Sequence, residues 1–119
     1  MAELRVLILD DDPMVGMLIE MVAQSAGAET LRCELPLPFL DAVVSWQPTH
    51  LVLDMRMPDM NGEEVLSELA RRCCAARIVL TSGSAQDAYA ARQSADASLD
   101  IAGVLPKPFE AAALRALLA

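Results

Sequence analysis

The sequence predicts an α/β domain, a doubly wound sheet of five parallel strands with five helices on its two faces. Three observations lead there. Short leucine-rich or β-branched runs alternate with helical segments along the whole chain, without an internal repeat, low-complexity tract or linker. That alternation implies right-handed crossovers and a parallel sheet. The runs are apolar throughout rather than alternating, as strands buried on both faces are. Two of them, moreover, end abruptly in acids.

Arg5 to Leu9 is the first such run and stops at Asp10-Asp11-Asp12. Pro13 suits the opening turn of a helix that runs to about Gly27, its expected C-cap. Ala28 to Cys33 is a weaker second strand. Pro36 and Pro38 are expected to punctuate a loop before a helix from about Phe39 to Trp46, closed by Pro48. His50 to Asp54 is the third strand, again apolar and ending in an acid. Pro58 and Gly62 shape the next loop, and Glu63 to Arg72 carries Val65, Leu66 and Leu69 on one helical face. Arg77 to Thr81 is the fourth strand, Gln86 to about Ala97 an alanine-rich helix, Ile101 to Leu105 the fifth strand and Glu110 to Leu118 the last helix.

The 119 residues suit one domain, residues 1–119. A hydrophobic fraction of 55 % and a mean hydropathy of +0.36 supply a core without disulfides. No apolar run approaches the about 20 residues of a membrane span. Arg5 follows the start too closely for a basic leader, so a cytoplasmic location and no membrane contact are expected. The net charge of −8 argues against direct nucleic-acid binding by this domain. Cys33, Cys73 and Cys74 are an odd count without metal-ligand spacing and are expected as reduced thiols in a strand and a helix.

In such sheets ligands sit at the carboxyl ends of the strands. Asp10, Asp11 and Asp12 follow the first strand, Asp54 ends the third, Thr81 ends the fourth, and Lys107 lies just past the fifth. Clustered carboxylates need a counter-charge. A hard divalent cation such as Mg2+ fits the acids, and Lys107 offers a compact point charge for a carboxylate or a phosphate oxygen. Thr81 offers a hydroxyl donor to the same oxygens. The set suits in-line phosphoryl transfer, in which charge neutralisation and positioning dominate. Asp54, projecting from a rigid strand end, is the expected nucleophile.

Several residues have plainer readings. Asp12 is expected to cap the helix that Pro13 opens. Asp59 and Glu63 are solvated or helix N-terminal acids, His50 is structural, and Trp46 anchors a helix face. The helical spacing of Met14, Met17 and Met21 suggests core filling.

The ordered set of Asp10-Asp11, the run Asp54-Met55-Arg56-Met57-Pro58-Asp59-Met60-Asn61-Gly62, and Lys107-Pro108-Phe109 resembles the receiver domains of response regulators, over residues 4–118. The resemblance implies a flavodoxin-like three-layer sandwich with strand order 2-1-3-4-5. It makes Asp54 the phosphoacceptor, Asp11 a direct Mg2+ ligand, and Asp10 a ligand mainly through water. The backbone carbonyl of Arg56 would be a further ligand. Thr81 would bond a phosphoryl oxygen and relay its presence, Ser82 would leave the site open, and Lys107 would pair with the phosphoryl group. Pro108 would follow a cis bond. Phosphate would come from a sensor histidine kinase or a histidine phosphotransfer protein, and would switch the face formed by helix 4, strand 5 and helix 5. The family is not enzymatic toward external substrates; it catalyses its own phosphorylation and slow self-dephosphorylation. A fused or separate effector and a homodimer are both compatible with it.

Two departures stand out. Val104 occupies the position, three before the lysine, where most receivers carry a switching aromatic. The stretch from Thr81 to Lys107 is several residues longer than usual, which predicts a lengthened or displaced fourth helix with a specialised partner or dimer. Phosphodonor choice is expected on the apolar exposed face of the first helix, around Val15, Leu18 and Ile19. Three rival readings remain: a degenerate receiver acting as a phosphorylation-independent interaction module, a nucleotide- or flavin-phosphate module, and a phosphohydrolase. Three aspartates would repel a phosphate arriving without a metal. A phosphohydrolase wants a second acid two residues after its nucleophile, where this chain has Arg56.

Overall fold

The computed structural model describes residues 3–57 and 60–119; Pro58 and Asp59, read above as loop and solvated acid, lie outside the described residues. Ten elements alternate: β1 (Arg5–Leu9), α1 (Pro13–Ser25), β2 (Glu29–Cys33), α2 (Pro36–Ser45), β3 (His50–Asp54), α3 (Gly62–Arg71), β4 (Arg77–Ser82), α4 (Ala85–Ser94), β5 (Asp100–Pro106) and α5 (Ala111–Leu117). The strands form one parallel sheet in the order β2-β1-β3-β4-β5. This is the architecture expected from the sequence.

Each apolar run divides between two cores because successive side chains leave a strand on opposite faces. Leu7, Leu9, Leu51, Leu53, Ile78 and Leu80 meet Phe39, Leu40, Val65, Leu66 and Leu69, together with Ala88 and Ala91. On the other face Val6, Ile8, Val52 and Val79 meet Ile19, Val22 and Ala23 of α1 and Leu114 of α5. Helices α2, α3 and α4 therefore cover one side, and α1 and α5 the other. The double burial holds β1 and β3 rigid up to their last residues, where the acids project.

Several boundaries and burials differ from expectation. Helix α2 starts at Pro36, so Pro36 and Pro38 lie in its first turn rather than in a loop. Proline is tolerated there because the first helical N–H groups have no intrahelical acceptor. Helix α1 stops at Ser25, and Gly27 takes a left-handed φ of 88° just past it. Met14, Met17 and Met21 face solvent, whereas Gly16, Ile19, Val22 and Ala23 are buried against the sheet. The exposed apolar face of α1 thus comprises Met14, Met17, Leu18 and Met21, without Ile19, which is buried, or Val15, which is half-buried against the core. Cys73 and Cys74 lie in the turn after α3, not in a helix. Burial pushes the Cys33 and Cys74 thiols up, away from the reactive thiolate.

The fourth helix is not lengthened. Helix α4 has ten residues, starting behind Ser84, whose hydroxyl caps the Asp87 N–H. A loop over 95–99 is closed by Asp96, which accepts from the Ser98 N–H at 2.8 Å and, through its carbonyl, from the Leu99 N–H at 3.1 Å. Leu99 drops into the core. A β-bulge takes one more residue, since Ile78 pairs with Ile101 but Val79 with Gly103. A longer helix therefore gives no support to the expected specialised partner or dimer at α4.

Candidate functional site

Four of the predicted site side chains converge at the C-terminal edge of the sheet. Asp10 follows β1 and is buried; Asp54 ends β3 and is buried; Asp11 stands beside them, exposed. One carboxylate oxygen from each of Asp10, Asp11 and Asp54 lies within 4.8 Å of the other two, a spacing that could hold a metal ion. Lys107, carried from β5 by the hydrogen bond from its N–H to the Ser82 carbonyl (2.7 Å), sets its Nζ 3.0 Å from Asp10 Oδ2 and 3.4 Å from Asp54 Oδ2. The Lys107–Pro108 peptide is cis, as the resemblance implied.

Local backbone geometry fixes these groups. The Asp12 N–H donates to Asp10 Oδ1 at 2.9 Å, and the Asp12 carboxylate accepts from the Met14 N–H, the helix cap expected of it. The Arg56 N–H donates to Asp54 Oδ1 at 3.1 Å, orienting that carboxylate from two residues downstream. Gly62 makes that turn feasible. A Cβ there would lie 2.9 Å from the Met55 Cα, so only glycine lets α3 begin so close to the loop after Asp54. Asn61 and Glu64 complete a capping box on the same helix.

Charge at this edge is under strain. Burial pushes the Asp54 carboxyl above its ordinary range, and the Asp10 charge adds to the push; the Arg56 N–H and Lys107 oppose it without cancelling it. Partial burial disfavours the Lys107 ammonium, but Asp10 and Asp54 outweigh this and hold its pKa above the usual value. A site with a carboxylate in excess of its cations favours a further positive charge.

Thr81 and Ser82 are both fully buried at the end of β4. Among the described residues Thr81 Oγ1 makes only a long 3.4 Å bond to the Leu53 carbonyl, leaving its hydroxyl weakly engaged. Ser82 Oγ accepts from the Ser84 N–H at 3.0 Å, tying the strand to the start of α4. Val104 sits in β5 at the edge of the core that α4 covers.

A family profile described as the response regulator receiver domain matches residues 6–119. The chain belongs to the response regulator receiver family. Its relatives place such receivers in different proteins. The transcriptional regulatory protein FixJ of Azorhizobium caulinodans is 31 % identical over 93 % of this chain and 51 % of its own length. The sensor kinase CckA of Brucella abortus is 31 % identical over 87 % of this chain and 11 % of its own length. This receiver thus spans about half or less of these relatives. Among solved structures, a sensor protein from Polaromonas superimposes with a TM-score of 0.85 at 23 % identity, covering 98 % of this chain and 94 % of that one. Receivers are signalling modules of two-component systems, and the acidic cluster suits one. Among the described residues no helix is long and apolar enough to cross a membrane.

Sequence reasoning named Arg56 for its backbone carbonyl and missed the partner of its side chain. The Arg56 side chain turns outward to Asp87 of α4, with Nη2 3.3 Å from Oδ2. The two residues lie 31 positions apart, and neither has a local partner pattern that would have paired them.

Proposed function

We propose that this receiver accepts a phosphoryl group on Asp54 from a sensor histidine kinase or histidine phosphotransfer protein. The observation that carries the reading is the convergence of Asp10, Asp11 and Asp54 within 4.8 Å, with the Lys107 amine against two of them. Asp54 supplies the nucleophile from a rigid strand end. One of its oxygens bonds to phosphorus as the phosphorus–nitrogen bond of phosphohistidine breaks, the imidazole keeping the bonding pair. Lys107 stands where it can leave the Asp54 carboxylate for a phosphoryl oxygen, and the weakly held Thr81 hydroxyl can donate to another. Hydrolysis of the acyl phosphate returns Asp54 and inorganic phosphate.

The donors are all hard oxygens, in a cluster short of positive charge, which suits Mg2+. Asp10, Asp11, Asp54 and the Arg56 carbonyl would hold it, and it would neutralise charge on the transferring group. The apolar face of Met14, Met17, Leu18 and Met21 on α1 supports phosphodonor docking there. The output would be the α4–β5–α5 face, read by a fused or separate effector in the cytoplasm. Val104 favours one second reading, a receiver that binds partners without phosphorylation.

Uptake separates the two. With phosphoramidate and Mg2+, intact-mass spectrometry is expected to show one added phosphoryl group on the wild type and none on Asp54→Asn. Asp11→Ala should need far more Mg2+ for the same uptake. An unmodified wild type under these conditions would leave the interaction-module reading standing instead.

A further inference from the structure

The Arg56–Asp87 pair joins the loop beside the acceptor to the first turn of α4, and neither residue has another ionic partner among the described residues. We propose that it is an electrostatic latch: Asp87 holds the Arg56 guanidinium while Asp54 is a bare carboxylate, and a phosphoryl group on Asp54 takes the guanidinium away. The inference rests on the phosphoacceptor reading above.

Arg56 is already tethered to the acceptor through its backbone N–H, 3.1 Å from Asp54 Oδ1, so its side chain needs only to rotate. A cleft of about 290 Å3, lined by Met55, Arg56, Asn61, Gly62, Glu63 and Asp87, leaves it room. The contest between the two anions is uneven. Both latch side chains are more than half exposed, and exposed ion pairs are weak and screened by solvent. A phosphoryl group brings roughly −1.5 to −2 charges and three acceptor oxygens, and a guanidinium can engage two of them in parallel. Lys107 does not satisfy that demand alone, being one point charge already shared between Asp10 and Asp54.

Release matters because of what Asp87 holds. Its N–H is capped by Ser84 Oγ at 3.3 Å, and the Ser84 N–H is bonded to Ser82 Oγ beside Thr81. The latch therefore closes a loop of contacts from Asp54 through Arg56, Asp87, Ser84 and Ser82 back to β4. Opening it frees the first turn of α4 without any movement of Val104, which lacks a ring to swing. Asp87 acts as a positioning residue, through Arg56 and not on the reacting atoms.

The test uses Mg2+ with beryllofluoride, an analogue of the phosphoryl group. Fluorine NMR reads occupancy and amide NMR reads α4 from Ala88 to Ser94, in wild type, Asp87→Asn and Asp87→Glu. Unliganded Asp87→Asn is expected to move the α4 amides part of the way toward their positions in the loaded wild type, in the same direction at each residue. It should also bind beryllofluoride about two- to fivefold more tightly, the factor that loss of one competing exposed ion pair gives. Asp87→Glu should restore the wild-type positions. Normal occupancy with free Asp87→Asn indistinguishable from free wild type along α4, and a full ligand-induced shift in both, would overturn the latch alone. No bound fluorine signal in the wild type would overturn the phosphoacceptor reading and the latch with it.

Discussion

At the N-terminal edge of the sheet each cation has its own acid. Arg5 meets Glu29 at 2.7 Å and Arg77 meets Asp100 at 3.4 Å. Arg5 also lies over the Trp46 ring, 4.2 Å from its centroid, and donates to the Trp46 carbonyl. At the C-terminal edge a single amine, Lys107, serves two buried carboxylates, and a third acid stands beside them. One strand set thus carries matched, solvated pairs at one end and unmatched, buried charge at the other. The matched end closes the fold; the unmatched end spends stability on keeping acids where a cation or a phosphoryl group can meet them.

The largest effect on that contrast comes from Lys107→Ala. It leaves Asp10 and Asp54 buried without their amine, and denaturant unfolding should show a loss of about 2–3 kcal/mol, the partly exposed lysine keeping this under the cost of breaking a fully buried pair. The matching change at the other edge, Arg77→Ala, should cost less than about 1 kcal/mol, since both partners are well exposed. Equal losses at the two edges would erase the distinction.

Asp54→Asn should have the opposite sign. Because the folded Asp54 pKa is raised above its unfolded value, its favourable contribution is full below the ordinary carboxylate range and disappears as pH rises through the folded pKa. At neutral pH the ionised Asp54 therefore weakens the fold, and the variant should melt higher than the wild type. Thermal scans from pH 7 downward should show this advantage shrinking as the wild-type carboxyl protonates.

The smallest effect belongs to His50, at the matched edge. Burial lowers its pKa from the ordinary 6.5, Arg77 lowers it further, and Asp100 opposes; its Nε2 has no hydrogen-bond partner among the described residues. A depressed pKa means stability is complete above 6.5 and declines as pH falls toward the folded pKa, where the unfolded chain takes the proton first. His50→Gln should flatten that part of the pH–stability curve, and an unchanged slope would assign it to another group.

The strands and the site were legible in the sequence for one reason. Apolar runs buried on both faces end where the chain must leave the sheet, so Asp10, Asp54, Thr81 and Lys107 announce the functional edge by position as well as by type. The α1 methionines were misread because that helix is apolar on two sides, so spacing alone cannot tell which side the sheet takes; Gly16 and Ile19 decided it by packing. Pro36 and Pro38 read as loop residues because proline marks a first turn and a break alike. Arg56 and Asp87 were invisible as a pair because only the folded crossing of the loop after β3 and the start of α4 brings them together.

The β5 bulge has a consequence for counting. Ile101 faces the core under α4, while Ala102 faces the α5 side, as does Gly103, where an added Cβ would strike Leu117. Val104 then returns to the α4 side and Leu105 to the α5 side. Two successive residues on one face invert the odd–even rhythm of the strand, so everything after Gly103 is in opposite phase to everything before it. Lys107 follows directly on Pro106, the last residue of that second phase. Its address is written in the number of residues between Asp100 and Pro106 as much as in their chemistry.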